Sequence, residues 1–305
     1  MSILKQPLAT PSRVRGIFRY LLAIKNQKEK TEVLKQILSP NKLAERLLTP
    51  EDKLKGKQAS DLMFKLTLIE SKKCGLLIED NDEIYINPNL PEEARSLELG
   101  DNLLPNTLAT LFFASNNADE EDFGRVCAWM LAQDIYDFSG NWKDIEEMVV
   151  SQGVAESLEL KMSSNTLYGQ MNDWMCYMGL AWGHALNEER VTVPDPTLYI
   201  KRNLKDLFQE QANTKLLCRE FIDRLAKKCP LFETGKFREE IEFQIGQRQP
   251  NYLSNSTAFA LFRLQDEGYI HLERESDGDL MILPKANNNV DDDGRISYIV
   301  WREKL

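Results

Sequence analysis

The chain has 305 residues, 42% of them hydrophobic and 28% charged, with five cysteines, two histidines and a net charge of −10. This is the make-up of a folded globular protein and excludes a disordered or collagen-like chain. With no run of about 18 apolar residues and no apolar stretch in the opening "MSILKQPLATPSRVRG", neither a membrane-spanning helix nor a secretory signal is expected, and the protein is expected in the cytoplasm.

Charge is unevenly spread. Residues 1–75 carry 16 Lys/Arg against 7 Asp/Glu, and this head opens with two predicted helices, "SRVRGIFRYLLAI" (12–24) and "KTEVLKQILS" (30–39). A third helix follows in "SDLMFKLTLIESKKCGLLIEDNDEIYINPNL" (60–90). It begins at a serine suited to an N-cap and stops at Gly75, as a left-handed C-terminal cap prefers. Two short β-like runs, Leu76-Leu77-Ile78 and Ile84-Tyr85-Ile86, flank the polar turn "EDNDE" and are closed by Pro88.

Duplex affinity comes mostly from cations laid against phosphates. The expected DNA-binding set is therefore Arg13, Arg15 and Arg19 on or beside the first helix, Lys53, Lys55 and Lys57 before the third, and Gln58, Ser60 and Lys65 at its start and outward face. The acidic turn opposes full engagement of a phosphate backbone.

Residues 76–160 reverse the sign, with 3 Lys/Arg against 19 Asp/Glu, which suits a partner-facing or solvating section. Helices are predicted over 118–139 and 142–153, and then the pattern of residues 60–90 returns in "NTLYGQMNDWMCYMGLAWGHALNEERVTVPDPTL" (165–198). This helix ends at Gly179, with Leu180-Ala181-Trp182 and Val191-Thr192-Val193 as strands and Pro194 as the stop. Gly183-His184-Ala185 is expected to break up the first strand. Trp129, Trp142, Trp174 and Trp182 read as core for a helical section rather than as a stacking cage. Asp119-Glu120-Glu121-Asp122 lacks the glycine turn of a calcium loop and suits the positive end of a helix. Glu159-Leu160-Lys161 matches a nuclease metal-site triplet, but no aspartate-bearing strand precedes it.

The third copy is "STAFALFRLQDEGYIHLERESDGDLMILP" (256–284), preceded by predicted helices at 214–228 and 234–246. Ala258, Phe259, Leu261, Phe262 and Leu264 make its apolar face, leaving Thr257, Ala260, Arg263 and Gln265 outside. Gly268 ends the helix, and "ESDGD" is expected to join Tyr269-Ile270 to Leu280–Leu283 as a hairpin. The last strand, through Ile296, Tyr298 and Val300, is expected to add a third rung. Six acids against two arginines make this copy a poor DNA reader, whose helix and wing are expected to pack on another unit or subunit.

The expected fold is mainly α with small β-wings, in repeated winged helix-turn-helix units: a basic N-terminal one (1–95), a degenerate one in a helical middle section (96–205), and a C-terminal one with an added strand (206–305). No P-loop, dinucleotide fingerprint, nucleophile elbow or H-E-x-x-H motif is present. Cys74, Cys127, Cys176, Cys218 and Cys229 stand far apart and read as free thiols, while His184 and His271 lack a nucleophile neighbour. The reading is a non-enzyme without cofactor or metal.

"PSRVRGIFRYLL" and "WMCYMGLAW…VTVPDPTLYIKRNL" resemble the DpdG family, accessory proteins of bacterial gene clusters that install 7-deazaguanine bases in DNA and restrict unmodified DNA. The resemblance implies an accessory protein of a DNA-modification and phage-defence system, and carries over no catalytic residue. Expected partners are protein subunits of that system and double-stranded DNA, with a homodimer as a further expectation. Two alternatives stand beside this: a winged-helix transcription regulator, and a purely structural subunit partnering an ATPase. A nuclease acting through Glu159 and Lys161 is the outside reading.

Overall fold

A proline in the first turn, with its φ already helical, and apolar residues three and four apart start the first helix in the computed structural model: α1 (Pro11–Ala23) buries Val14, Ile17, Phe18, Leu21 and Leu22. The structure describes residues 3–40, 42, 45, 61–114, 120–154, 164–186, 189–275, 279–286 and 294–302. Helices dominate these residues and the sheets among them are small and antiparallel. The chain forms two compact units, residues 3–112 and 113–305.

In the first unit, α1 leads to β1 (Lys28–Lys30), α2 (Thr31–Leu38), α3 (Leu62–Lys73), β2 (Leu77–Asp80) and β3 (Glu83–Ile86). Asn81 and Asp82 both take positive φ between β2 and β3, the twist that a two-residue hairpin turn needs. The strand β1, which lies between the first two helices in sequence, pairs with β3 to give the order β1-β3-β2. Helix α4 (Gly100–Phe112) packs on α1. It starts at a glycine because a Cβ there would lie 2.7 Å from the Ala94 carbonyl oxygen.

The second unit is built around α5 (Glu121–Ala132), whose residues from Phe123 to Leu131 are almost all buried. The helix predicted over 118–139 is shorter than that. The Asp134 carboxylate accepts the Tyr136 N–H at 3.0 Å, a local bond that competes with the helix and turns the chain. The chain continues through α6 (Trp142–Ser151), α7 (Asn165–Met178), β4 (Trp182–Leu186), β5 (Glu189–Val193) and α8 (Thr197–Leu207). Next come β6 (Lys215–Leu217), α9 (Cys218–Lys228), α10 (Lys236–Ile245), α11 (Asn255–Asp266) and β7 (Ile270–Glu273). Then follow β8 (Met281–Ile282), β9 (Arg295–Ile296) and β10 (Tyr298–Trp301). Helices α7, α10 and α11 all pack on α5. Trp129 and Trp174 are fully buried in this core, as the aromatic crowding predicts, whereas Trp182 is 55% exposed.

The three glycine stops share one geometry. Gly75, Gly179 and Gly268 have φ of 81°, 80° and 73°. In each case the residue after the glycine donates its N–H to a carbonyl five residues back: Leu76 to Ser71, Leu180 to Met175, Tyr269 to Leu264. That six-to-one bond satisfies a helix-end carbonyl that would otherwise be orphaned. A hairpin follows α3 and α7 directly, and β4 runs unbroken through Gly183, His184 and Ala185, paired with Thr192, Val191 and Arg190. The expected interruption is therefore absent, since a glycine in a paired strand costs little when the ladder around it is complete.

The third copy departs from expectation in its pairing. Strand β7 does not fold back on residues 280–283; it pairs with β10, which also pairs with β6, giving β6-β10-β7. Met281 and Ile282 pair instead with Ile296 and Arg295. The terminal strand has the longer alternating apolar run, and Ile299 and Trp301 bury against the helix layer, so it displaces the nearer but shorter candidate. Strand β6 stands between α8 and α9 as β1 stands between α1 and α2, so α8 takes the part of the first helix.

Candidate nucleic-acid interface

Helix α1 buries one face, and that leaves Arg15 and Arg19, one turn apart, pointing outward. Neither is a bare cation. Arg15 grips Asp101 of α4 with two parallel bonds, Nε to Oδ1 and Nη2 to Oδ2, both 2.7 Å. Arg19 Nε lies 3.4 Å from Asp101 Oδ2. The Arg15 hydrogen bonds hold the Asp101 carboxyl below its ordinary range. Arg13 turns the other way and donates to the Leu8 carbonyl at 2.5 Å.

A second cluster of the same kind sits at the start of α3. Asp61 receives Lys65 from the next turn at 3.0 Å and Lys35 of α2 at 2.9 Å, and those bonds lower its pKa. Each cluster thus gathers two cations on one shared carboxylate, and Lys35 also lies 3.9 Å from Glu32. Lys53, Lys55, Lys57, Gln58 and Ser60 lie outside the described residues, as do Glu159 and Lys161. In the hairpin of this unit, Glu83 is taken by Lys28 at 2.7 Å and Glu79 by Lys72, leaving less free negative charge than the sequence suggests.

The corresponding helix of the third copy is closed off. Asn255, Ser256 and Thr257, its N-terminal residues, are all buried. Thr257 and Ala260, expected on the outer face, are buried because α5 and α8 cover that side of α11. The Ser256 hydroxyl donates to the Leu131 carbonyl at 2.6 Å, fixing the helix start to α5. The Ser254 hydroxyl accepts the Thr257 N–H as the N-cap and itself donates to buried Glu233 at 2.7 Å. Glu233 is in turn held by Arg248, whose Nε reaches Glu242 at 2.6 Å. Arg263, further along α11, is occupied by Asp195 at 2.6 Å and Glu267 at 3.1 Å.

In the middle copy, Glu121 and Asp122 open α5, the position the helix dipole favours. Glu121 also accepts Lys236 at 2.7 Å and Arg125 at 3.1 Å, so both neighbours keep its carboxyl below the ordinary range. His184 is exposed on β4 and stacks on Trp182 at 5.4 Å with the rings 9° apart. Among the described residues no group of histidine, cysteine and carboxylate side chains is arranged to hold a metal ion, and no helix is long and apolar enough to cross a membrane.

Arg15 with Arg19 on α1, and Lys35 of α2 with Lys65 of α3, are thus two basic clusters on the first unit. Sequence spacing did not reveal Asp101 or Asp61 as their partners, since Asp101 lies 86 residues from Arg15. No curated protein and no solved structure matches the chain. A family model described as DpdG-like matches residues 1–278. Covering nine-tenths of the sequence and both stretches that carry the resemblance, this match shows that the chain belongs to the DpdG-like family.

Proposed function

We propose that the chain is a non-enzymatic accessory subunit of a DNA-modification system, built from three winged helix-turn-helix units of which the N-terminal one touches DNA. Membership of the DpdG-like family fits a role in a DNA-modification cluster. The order helix, strand, helix recurs with β1 and β6 in equivalent places, and in both units that strand joins an antiparallel pair, β2–β3 or β7–β10, which supports the winged-helix reading. One observation carries the assignment of roles: Arg15 and Arg19 are exposed on α1, whereas the start of α11 is buried and tied to α5. The acidic middle section then faces protein partners.

Fluorescence anisotropy of the full chain with a short labelled duplex, repeated over a range of salt, tests this. Binding should weaken steeply with salt, and the double substitution Arg15→Ala/Arg19→Ala should lower the slope of log K against log salt by about 2. Asp101→Ala should instead strengthen binding a few-fold, because it removes a negative charge that both guanidinium groups share. Absence of salt-sensitive binding would remove the DNA half of the proposal.

The outer face of α3 favours a second reading. Leu62 and Ile69 are 48% and 49% exposed on it, and Ile37 of α2 is 47% exposed. A helix that reads bases through hydrogen bonds has little use for such side chains, so a purely structural subunit, with α3 directed at a protein, is the alternative. Co-purification with an ATPase and no affinity for duplex would favour it.

A further inference from the structure

A cavity of about 440 Å³ opens between α9, α10 and the chain that joins α10 to α11. Each helix gives it one face. Arg219, Ile222 and Asp223 on α9, like Glu239, Glu242 and Phe243 on α10, follow the three-and-four spacing that stacks side chains on one side of a helix. Helix α10 stops at Gly246, whose φ of 117° suits a glycine, and the connection is anchored where the Leu253 N–H meets the Ile282 carbonyl at 2.9 Å. The buried side chains of Ile222 and Leu253 make part of the lining apolar.

The two arginines that line this cavity are occupied. Arg219 donates to Asp279 at 2.5 Å and to Asn251 at 2.6 Å. Arg248 is spent on Glu233, on Glu242 at 2.6 Å and on the Tyr252 carbonyl at 2.7 Å. Two exposed carboxylates are left over. Glu239 has no side-chain partner among the described residues, and Asp223 accepts the Thr234 hydroxyl at 3.3 Å but makes no ion pair among them. Phe243 is 82% exposed, while Phe237 and Ile241 of the same helix are buried. A single exposed apolar side chain is ordinary, but this one lines a cavity beside carboxylates that lack a cation.

Carboxylates beside an open aromatic ring suit a guanidinium, which takes carboxylate oxygens in its plane and stacks its face on the ring. The apolar lining suits the methylene stem of the same side chain. Phosphate would be repelled by these acids, which speaks against a nucleic acid as the occupant. We propose that this cavity is a docking site for a protein partner, which inserts an arginine side chain between Asp223 and Glu239 and lays it on Phe243. Arginine and aromatic side chains seated in pockets are the usual anchors of protein interfaces. None of the three residues belongs to α1 or to the acidic section 76–160, so this contact is additional to both.

Fluorescence anisotropy of a short labelled glycine-serine peptide with an arginine pair at its centre, titrated with the full chain, tests the proposal. Saturable binding is expected, about tenfold tighter than for the same peptide carrying citrulline, which keeps the shape of arginine and loses its charge. Glu239→Gln and Phe243→Ala, both at exposed positions, should each weaken binding about tenfold with the melting temperature unchanged. Arg15→Ala/Arg19→Ala should leave it unaltered, which separates this surface from the duplex interface. No saturable binding, equal affinity for the citrulline peptide, or unchanged affinity in both folded variants would overturn the proposal. So would spermidine competing as well as the arginine peptide, which would mark a general sink for cations. A dimer in sedimentation that Phe243→Ala dissociates would assign the surface to a second copy of the chain and overturn it too.

Discussion

Glu233→Gln should cost the protein about 3–5 kcal/mol of stability, read as a lower urea midpoint at unchanged denaturant slope. The side chain is 1% exposed and sits between two arginines, Arg248 and the fully buried Arg238. Arg248 also donates to Glu242 and to the Tyr252 carbonyl at 2.7 Å, while Arg238 donates to the Leu231 carbonyl at 3.2 Å. Removing the charge of Glu233 leaves Glu242 as the one carboxylate partner that either guanidinium still has among the described residues. Because burial of an uncompensated cation is the expensive element, the double substitution Glu233→Gln/Arg248→Met should recover part of the loss. The cost has a pH signature. Burial pushes the Glu233 carboxyl upward, but Arg248, Arg238 and the hydroxyls of Thr257 and Ser254 outweigh it and hold the pKa below its ordinary 4.5. A depressed folded-state value means that the stabilisation is complete above pH 4.5 and is lost as the pH falls through the lower folded value. The gap between parent and Glu233→Gln melting temperatures should therefore be widest near neutrality and should close in acid. A gap that stays constant down to pH 3 would mean that Glu233 acts through shape rather than charge.

How much of this was readable beforehand follows from the range of the interactions. The helix stops at Gly75, Gly179 and Gly268 were legible because the cap geometry is decided within six residues. The N-caps Ser164 and Ser254 stand one and two residues before the Asn165 and Ser256 with which the repeated stretches open. The partner of β7 was not legible, because "ESDGD" satisfies the rules for a tight hairpin as well as the true pairing with β10 does, and only burial of Ile299 and Trp301 decides between them. The burial of Thr257 and Ala260 was hidden for a similar reason. The periodicity of α11 marks one apolar face, but α5, more than a hundred residues earlier, covers a second. For the candidate interface, the sequence grouped Arg13 with Arg15 and Arg19 and showed neither that Arg13 turns to the Leu8 carbonyl nor which carboxylate ties the other two together.

The middle section tests the repeat itself, through Gly140→Ala. In the first and third copies a strand between the first two helices joins the antiparallel pair that follows the last helix; here a single residue, Gly140, joins the hairpin between α5 and α6. Its carbonyl accepts the Thr192 N–H of β5 at 3.1 Å and the buried Tyr168 hydroxyl of α7 at 2.6 Å. Two features require glycine. The backbone φ is +68°, and a Cβ would lie 2.4 Å from the Thr192 carbonyl oxygen and 2.9 Å from its nitrogen, both backbone atoms that cannot swing aside. Positive φ and overpacking each cost about 1–3 kcal/mol, so the alanine variant should lose about 2–5 kcal/mol and melt well below the parent. Gly169 offers the control, since it lies within α7 with nothing near enough to meet an added Cβ. Gly169→Ala should be neutral or stabilise by up to about 1 kcal/mol through helix propensity alone. If both alanine variants melted with the parent, the hairpin of the middle section would have no third rung, and the chain would hold two such units rather than three.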